Sequence, residues 1–150
     1  MYGYLGLDVG SVSTNLVLID DNNNLLTKIY LRTQGQPIKT VQKGLKRIQM
    51  EMGEDLTIMG VGTTGSARQL SAIIVGADIV KNEITAHSVG ASSIIPEVQT
   101  VIEIGGQDSK IIILRDGIVA DFAMNTVCAA GTGSFLDQQA ARLEFQIEDF

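Results

Sequence analysis

An α/β fold, with a mixed sheet and flanking helices, is the architecture this chain predicts, on three observations. Three apolar β-type runs open the sequence and read as an antiparallel meander. A helically spaced apolar stretch then leads to another strand, a crossover that makes the new strand parallel to its neighbour. Two glycine-rich turns, Asp8-Val9-Gly10-Ser11-Val12-Ser13-Thr14 and Glu103-Ile104-Gly105-Gly106-Gln107-Asp108-Ser109, are each set between apolar runs.

The meander comprises Tyr4 to Val9, Asn15 to Ile19 and Leu25 to Leu31, with the polar turn Asp20-Asp21-Asn22-Asn23-Asn24 between the last two. From Pro37, residues Ile38, Val41, Leu45, Ile48 and Met52 recur at helical spacing, and Gly53 stands where a C-terminal cap belongs. A strand follows at Thr57 to Val61, then a Gly62-Thr63-Thr64-Gly65 turn and a short helix or loop from Ser66 to Val75. A second long helix is expected from near Ile79, with the stripe Val80, Ile84, His87, Ala91 and Ile94, ending at Pro96. Strands Val101 to Ile104, Lys110 to Leu114 and Ile118 to Met124 come next, the last two joined by Arg115-Asp116-Gly117. A glycine-rich entry at Ala129 to Gly133 opens a final helix to about Leu143. This βββαβ(α)αβββα order matches the ribonuclease-H-like fold.

At 150 residues and 45% hydrophobic content, one domain is expected, burying roughly 70% of its unfolded surface. There are 17 acidic and 11 basic residues, a net charge of -6, no basic run and 5% aromatics, which argues against a nucleic-acid surface. No apolar stretch reaches membrane-spanning length and no signal-type segment opens the chain, so a cytoplasmic protein is expected. The single cysteine, Cys128, cannot form an internal disulfide, consistent with a reducing compartment. The ending Glu148-Asp149-Phe150 lacks a polar tail or closing strand, which suggests a piece of a longer chain.

The turns carry the chemistry. Without a Cβ, Gly10, Gly105 and Gly106 let an anion approach the backbone. Backbone N–H groups and the Ser11, Ser13 and Thr14 hydroxyls are donors for phosphate oxygens, and Asp8 and Glu103 suit a hydrated Mg²⁺ facing them. The turns are neither a P-loop nor a dinucleotide fingerprint, because each joins two strands and lacks the Lys-Ser/Thr ending or GxGxxG spacing. One such turn is an ordinary hairpin loop; two, each entered by an acidic residue, point to a paired phosphate grip.

The sequence resembles the ATPase superfamily of actin, sugar kinases and heat-shock chaperones, in which two such domains face each other across a nucleotide cleft. Gly6-Leu7-Asp8-Val9-Gly10-Ser11 resembles its first phosphate motif, Ile102-Glu103-Ile104-Gly105-Gly106-Gln107-Asp108 its second, and Ala129-Ala130-Gly131-Thr132-Gly133 its connecting segment. One of the two domains is represented. The stretch Asn125-Thr126-Val127-Cys128-Ala129-Ala130-Gly131-Thr132-Gly133-Ser134-Phe135-Leu136-Asp137 narrows this. It is similar to the activators of 2-hydroxyacyl-CoA dehydratases and the ATPase subunits of benzoyl-CoA reductase, a likeness that spans essentially the whole chain. The resemblance implies a homodimeric, oxygen-sensitive ATPase binding ATP and Mg²⁺ and holding one [4Fe-4S] cluster between subunits. Single electrons from a donor such as ferredoxin or flavodoxin would pass to a CoA-ester dehydratase or reductase. It implies Asp8, Gly10, Ser11, Ser13, Thr14, Glu103, Gly105, Gly106, Gln107, Asp108, Gly131, Thr132 and Gly133 as nucleotide contacts. Cys128 is implied as one cluster ligand, its companion lying beyond Phe150. From composition alone Cys128 reads as a buried free thiol; the helix after Gly131-Thr132-Gly133 favours an anion beside it, at about 0.3–1 kcal/mol per charge. Asn15 stands where many activators carry Lys, and Thr126-Val127 and Ser134 depart from the smaller activators toward larger, multidomain members.

For catalysis, Glu83 resembles the catalytic glutamate of exopolyphosphatases, while a helix-surface carboxylate in reach of His87 is its other reading. Gln107 is a second candidate to orient water. His87 reads as a packed core residue; Lys110, following the second turn, has two readings, a phosphate contact and the more frequent strand-edge lysine facing solvent. Arg32 and Arg68 have no motif support, and the five methionines read as core filler. Two other functions fit the same residues: a small-molecule kinase without a cluster, and a nucleotide-dependent protein-binding module. The isolated 150-residue piece is expected to bind nucleotide weakly and to hold no stable cluster.

Overall fold

The computed structural model describes residues 2–127 and 131–149. The chain divides into two compact units, residues 1–83 and 84–150.

In the first unit, β1 (Tyr2–Val9), β2 (Ser13–Ile19) and β3 (Leu25–Arg32) form the expected antiparallel meander. Alternation puts Leu5, Leu7, Val9, Leu16, Leu18, Ile29 and Leu31 on one face, where they bury Val41 and Ile48 of α1 (Pro37–Met52). Pro37 begins that helix, where its missing N–H costs nothing. Gly44 lets the helix lie close to the sheet: a Cβ there would stand 2.5 Å from Leu16 Cδ1. β4 (Thr57–Thr64) and β5 (Ile79–Val80) are parallel to β1 and to each other, giving the order β3-β2-β1-β4-β5. The sheet is mixed and helix-flanked, as the sequence predicts.

Three local expectations are corrected. Gly62, Thr63 and Thr64 continue β4 instead of turning, because their backbones pair with Gly6, Leu7 and Asp8. Ile79 and Val80 do not open a helix. They form β5, fixed by Asp78, whose N–H donates to the Val61 carbonyl at 2.8 Å while its carboxylate accepts the Val61 N–H at 2.7 Å. The intervening segment is helical, as α2 (Arg68–Val75). The long helix starts later, as α3 (Glu83–Ile94), and its expected stripe is not a core seam: Ser88 is its buried residue, Ile94 is 82% exposed and His87 is half-buried.

The second unit contains a separate antiparallel sheet, β6 (Thr100–Ile104), β7 (Ser109–Arg115) and β8 (Ile118–Met124), with β7 central. Asp116 and Gly117, both at positive φ, make the two-residue connection from β7 to β8 that such a twisted hairpin favours. α4 (Gly133–Arg142) follows. Among the described residues no helix is long and apolar enough to cross a membrane.

Candidate functional site

The two glycine-rich turns are closed by the same backbone hydrogen bond. In the first unit, the Gly10 N–H donates to the Ser13 carbonyl at 2.8 Å; in the second, the Gly105 N–H donates to the Asp108 carbonyl at 2.8 Å. Each bond spans four residues, Gly10–Ser13 and Gly105–Asp108, where one antiparallel strand turns into the next, and each acidic residue lies two positions before its glycine. Asp8 is in register with Asn15, and Glu103 with Lys110. Crowding explains the glycines: a Cβ on Gly10 would stand 3.0 Å from the Ser13 carbonyl oxygen, and one on Gly105 would meet the Asp108 and Glu103 side chains at 3.0–3.1 Å.

Around the first turn, Ser11 is exposed, while Asp8, Gly10 and Ser13 are half-buried. Thr14 departs from its expected role. It is fully buried and its hydroxyl lies 2.9 Å from that of Thr33. The Thr33 hydroxyl spends its one hydrogen on the Gly10 carbonyl at 2.9 Å, so Thr14 donates to Thr33. The Thr33 N–H also reaches the Val12 carbonyl, at 2.8 Å. Thr14 therefore braces the turn from the core side, because it shares the inward face of β2 with Leu16 and Leu18. The end of β4 borders the same place. Thr64 is in register with Asp8, its hydroxyl buried without a hydrogen-bond partner. At Gly65, φ is +92°, and a Cβ would lie 2.6 Å from Asp8 Oδ1 and 2.5 Å from the Val9 carbonyl oxygen.

Around the second turn, Lys110 is 4% exposed on the central strand, the opposite of a solvent-facing edge lysine. Its ammonium donates to Glu103 Oε2 at 2.9 Å and to Asp108 Oδ1 at 3.0 Å, tying the turn's two carboxylates together. Gln107 is exposed at the tip. The segment expected to connect the halves is bonded to this turn. The Gly133 N–H donates to the Gly105 carbonyl at 2.8 Å and the Thr132 hydroxyl to the Gly106 carbonyl at 3.2 Å, with the Ser134 hydroxyl on that same carbonyl. The Ser109 hydroxyl donates to the Gly131 carbonyl at 2.8 Å, and Asn125 Oδ1 accepts the Ser109 N–H at 2.9 Å. Gly105, Gly106, Gly131, Thr132 and Gly133 thus form one local assembly. Thr132 is fully buried there, and the Gly133 and Ser134 N–H groups at the α4 N-terminus are directed at carbonyls.

Glu83 is the first residue of α3 and is half-buried. Cys128, with Ala129 and Ala130, lies outside the described residues. Among the described residues no three His, Cys, Asp or Glu side chains cluster as a metal cage. Asp8 in the first unit and Glu103 in the second each present hard oxygen donors of the kind a hydrated divalent ion takes, those of Glu103 being shared with Lys110. Thr64 and Gly65 are the neighbours that sequence reasoning did not place beside the first turn.

Matched hairpin turns, each entered by a carboxylate and carried on βββα-type units, define an actin-like ATPase fold. Similarity to the ethanolamine utilization protein EutJ of Carboxydothermus hydrogenoformans, at TM-score 0.66 and 13% identity over 98% of this chain and 59% of that one, supports the fold alone. The chain belongs to the BadF/BadG/BcrA/BcrD ATPase family, which it matches over residues 5–150. It is 37% identical over 149 residues to the (R)-2-hydroxyglutaryl-CoA dehydratase activating ATPase of Acidaminococcus fermentans, covering 97% of this chain and 55% of that protein. The activator of the 2-hydroxyisocaproyl-CoA dehydratase from Clostridium difficile, solved with bound ADPNP, superimposes at TM-score 0.87 with 32% identity, over 98% of this chain and 54% of that one. The chain spans about half the length of the curated relatives it matches.

Proposed function

We propose that this chain is the N-terminal part of an ATP-hydrolysing activator that delivers single electrons to a partner CoA-ester dehydratase or reductase. The observation that carries the proposal is the pair of turns with one hydrogen-bond pattern and one carboxylate position, in a chain of this ATPase family. The turns at Gly10–Ser13 and Gly105–Asp108 bind the phosphates of Mg-ATP through backbone N–H groups and the Ser11 and Ser13 hydroxyls. Asp8 and Glu103 hold the ion's water shell, and Glu83 and Gln107 orient the attacking water. Thr14, Thr132 and Gly133 support the turns from behind, as their hydrogen bonds suggest.

A bound [4Fe-4S] cluster would supply one-electron chemistry, and Cys128 is this chain's ligand to it in a homodimer. The electron comes from ferredoxin or flavodoxin, and the protein works in the cytoplasm. ATP can drive the transfer only by binding two conformations with different affinity. The test uses full-length protein prepared anaerobically. Wild type should contain iron and sulfide; Cys128→Ala should lack them, keep ATP hydrolysis and fail to reduce its partner enzyme. Wild type free of iron after reconstitution would instead identify a kinase of the same fold.

A further inference from the structure

The cations of this acidic protein are concentrated in one segment of the first unit, and four of them line the exposed face of α1. Six of the 11 basic residues fall within residues 28–47, which contain no Asp or Glu. That segment carries +6, so the rest of the chain carries -12 of the net -6. Lys39, Lys43 and Lys46 recur at helical spacing on the exposed side of α1, opposite buried Val41, Gly44 and Ile48, and Arg47 flanks them. Arg32, at the end of edge strand β3, joins Lys39 and Lys43 around an open cavity of about 300 Å³.

This placement opposes what the helix itself favours. The positive end of the helix dipole is at the N-terminus, yet Lys39 occupies the first turn, no acidic residue is there and no basic residue is in the last turn. Lys39 and Lys43, and Lys43 and Arg47, are like charges four residues apart. A charge pattern that disfavours its own helix marks a surface kept for something other than stability.

We propose that this surface docks a partner protein that presents clustered carboxylates. The stripe from Lys39 to Arg47 runs about 12 Å along the helix, a length that suits an extended acidic surface better than one small anion. The negative charge elsewhere on the chain repels such a partner and so orients its approach. The proposal goes beyond the ATPase reading, and its test does not depend on ATP.

Full-length protein is titrated into fluorescein-labelled poly-L-glutamate between 20 and 300 mM NaCl, following anisotropy. Binding should be measurable at low salt and should fall as salt rises. Lys39→Glu/Lys43→Glu should weaken it by about tenfold or more, whereas Lys81→Glu/Arg115→Glu, which changes net charge equally at other exposed positions, should weaken it less than about twofold. Circular dichroism confirms that both variants fold. Absent binding, or equal losses in both variants, would overturn the proposal. So would tighter patch-dependent binding of a DNA duplex or of phosphatidylglycerol vesicles, which would reassign the surface to nucleic acid or membrane.

Discussion

Gly65→Ala isolates the packing between the end of β4 and the carboxylate of the first turn. The added methyl would be placed 2.5 Å from the Val9 carbonyl oxygen and 2.6 Å from Asp8 Oδ1, at a φ of +92°. The conformational strain is about 1–3 kcal/mol, and forcing apart atoms that include main chain adds about 1–3 kcal/mol. A total loss of about 2–6 kcal/mol is therefore expected, against a typical domain stability of about 5–15 kcal/mol. Gly76→Ala is the control, because Gly76 also has positive φ, +64°, but nothing lies within 4 Å of its Cβ position. It should cost about 1 kcal/mol, the backbone component alone. Urea unfolding of the two variants measures the difference. Equal losses would refute the claim that Asp8 and Val9 pack tightly on Gly65. If the reasoning holds, displacement of Asp8 should also weaken Mg-dependent ATP binding by Gly65→Ala and leave Gly76→Ala unaffected.

Two further outcomes are expected. Lys110→Met leaves Glu103 and Asp108 facing each other without their shared cation. It should cost about 1–3 kcal/mol in urea unfolding, because the two carboxylates keep contact with solvent, with part of the loss recovered in the double variant Glu103→Gln/Lys110→Met. Asp20 accepts the side-chain amide and backbone N–H of Asn24 and the N–H of Asn22, and these bonds hold its carboxyl below the ordinary 3.8. A folded-state pKa below the unfolded one gives stability that is full above pH 3.8 and is lost as pH falls through the lower folded value. Asp20→Asn should flatten that acid limb in unfolding curves taken from pH 5 downward, and an unchanged limb would exclude the Asp20 contribution.

Where the pattern is local, the sequence already contains the answer. Period-two alternation sets all three strands of the meander, and Pro37 and Gly53 bracket α1 as expected. The same alternation puts Thr14 with Leu16 and Leu18 on the core side, so its inward orientation was legible from parity, although the Thr33 hydroxyl it meets was not. Tertiary pairing hid other features. Gly62 and Gly65 read as a turn, but parallel pairing with β1 carries the strand through Thr64. Ile79 and Val80 are too short a run to show any period, and β4 alone makes them a strand. Lys110 looked like an edge residue because its strand's central position depends on β6 and β8 both pairing with it. The basic surface on α1 was obscure for a different reason, since cations spaced three and four apart form no run in the sequence. At the site, the turns and their carboxylates were legible, whereas the contacts from Thr33, Gly65 and Thr132 join residues distant along the chain.

Hydrogen–deuterium exchange of the full-length protein, with and without Mg-ADPNP, tests the phosphate grip most directly. Amides of both Gly10–Ser13 and Gly105–Asp108 should slow together when nucleotide is added, with the effect lost in Asp8→Asn. Protection confined to one turn, or absent from both while nucleotide is bound, would contradict the account.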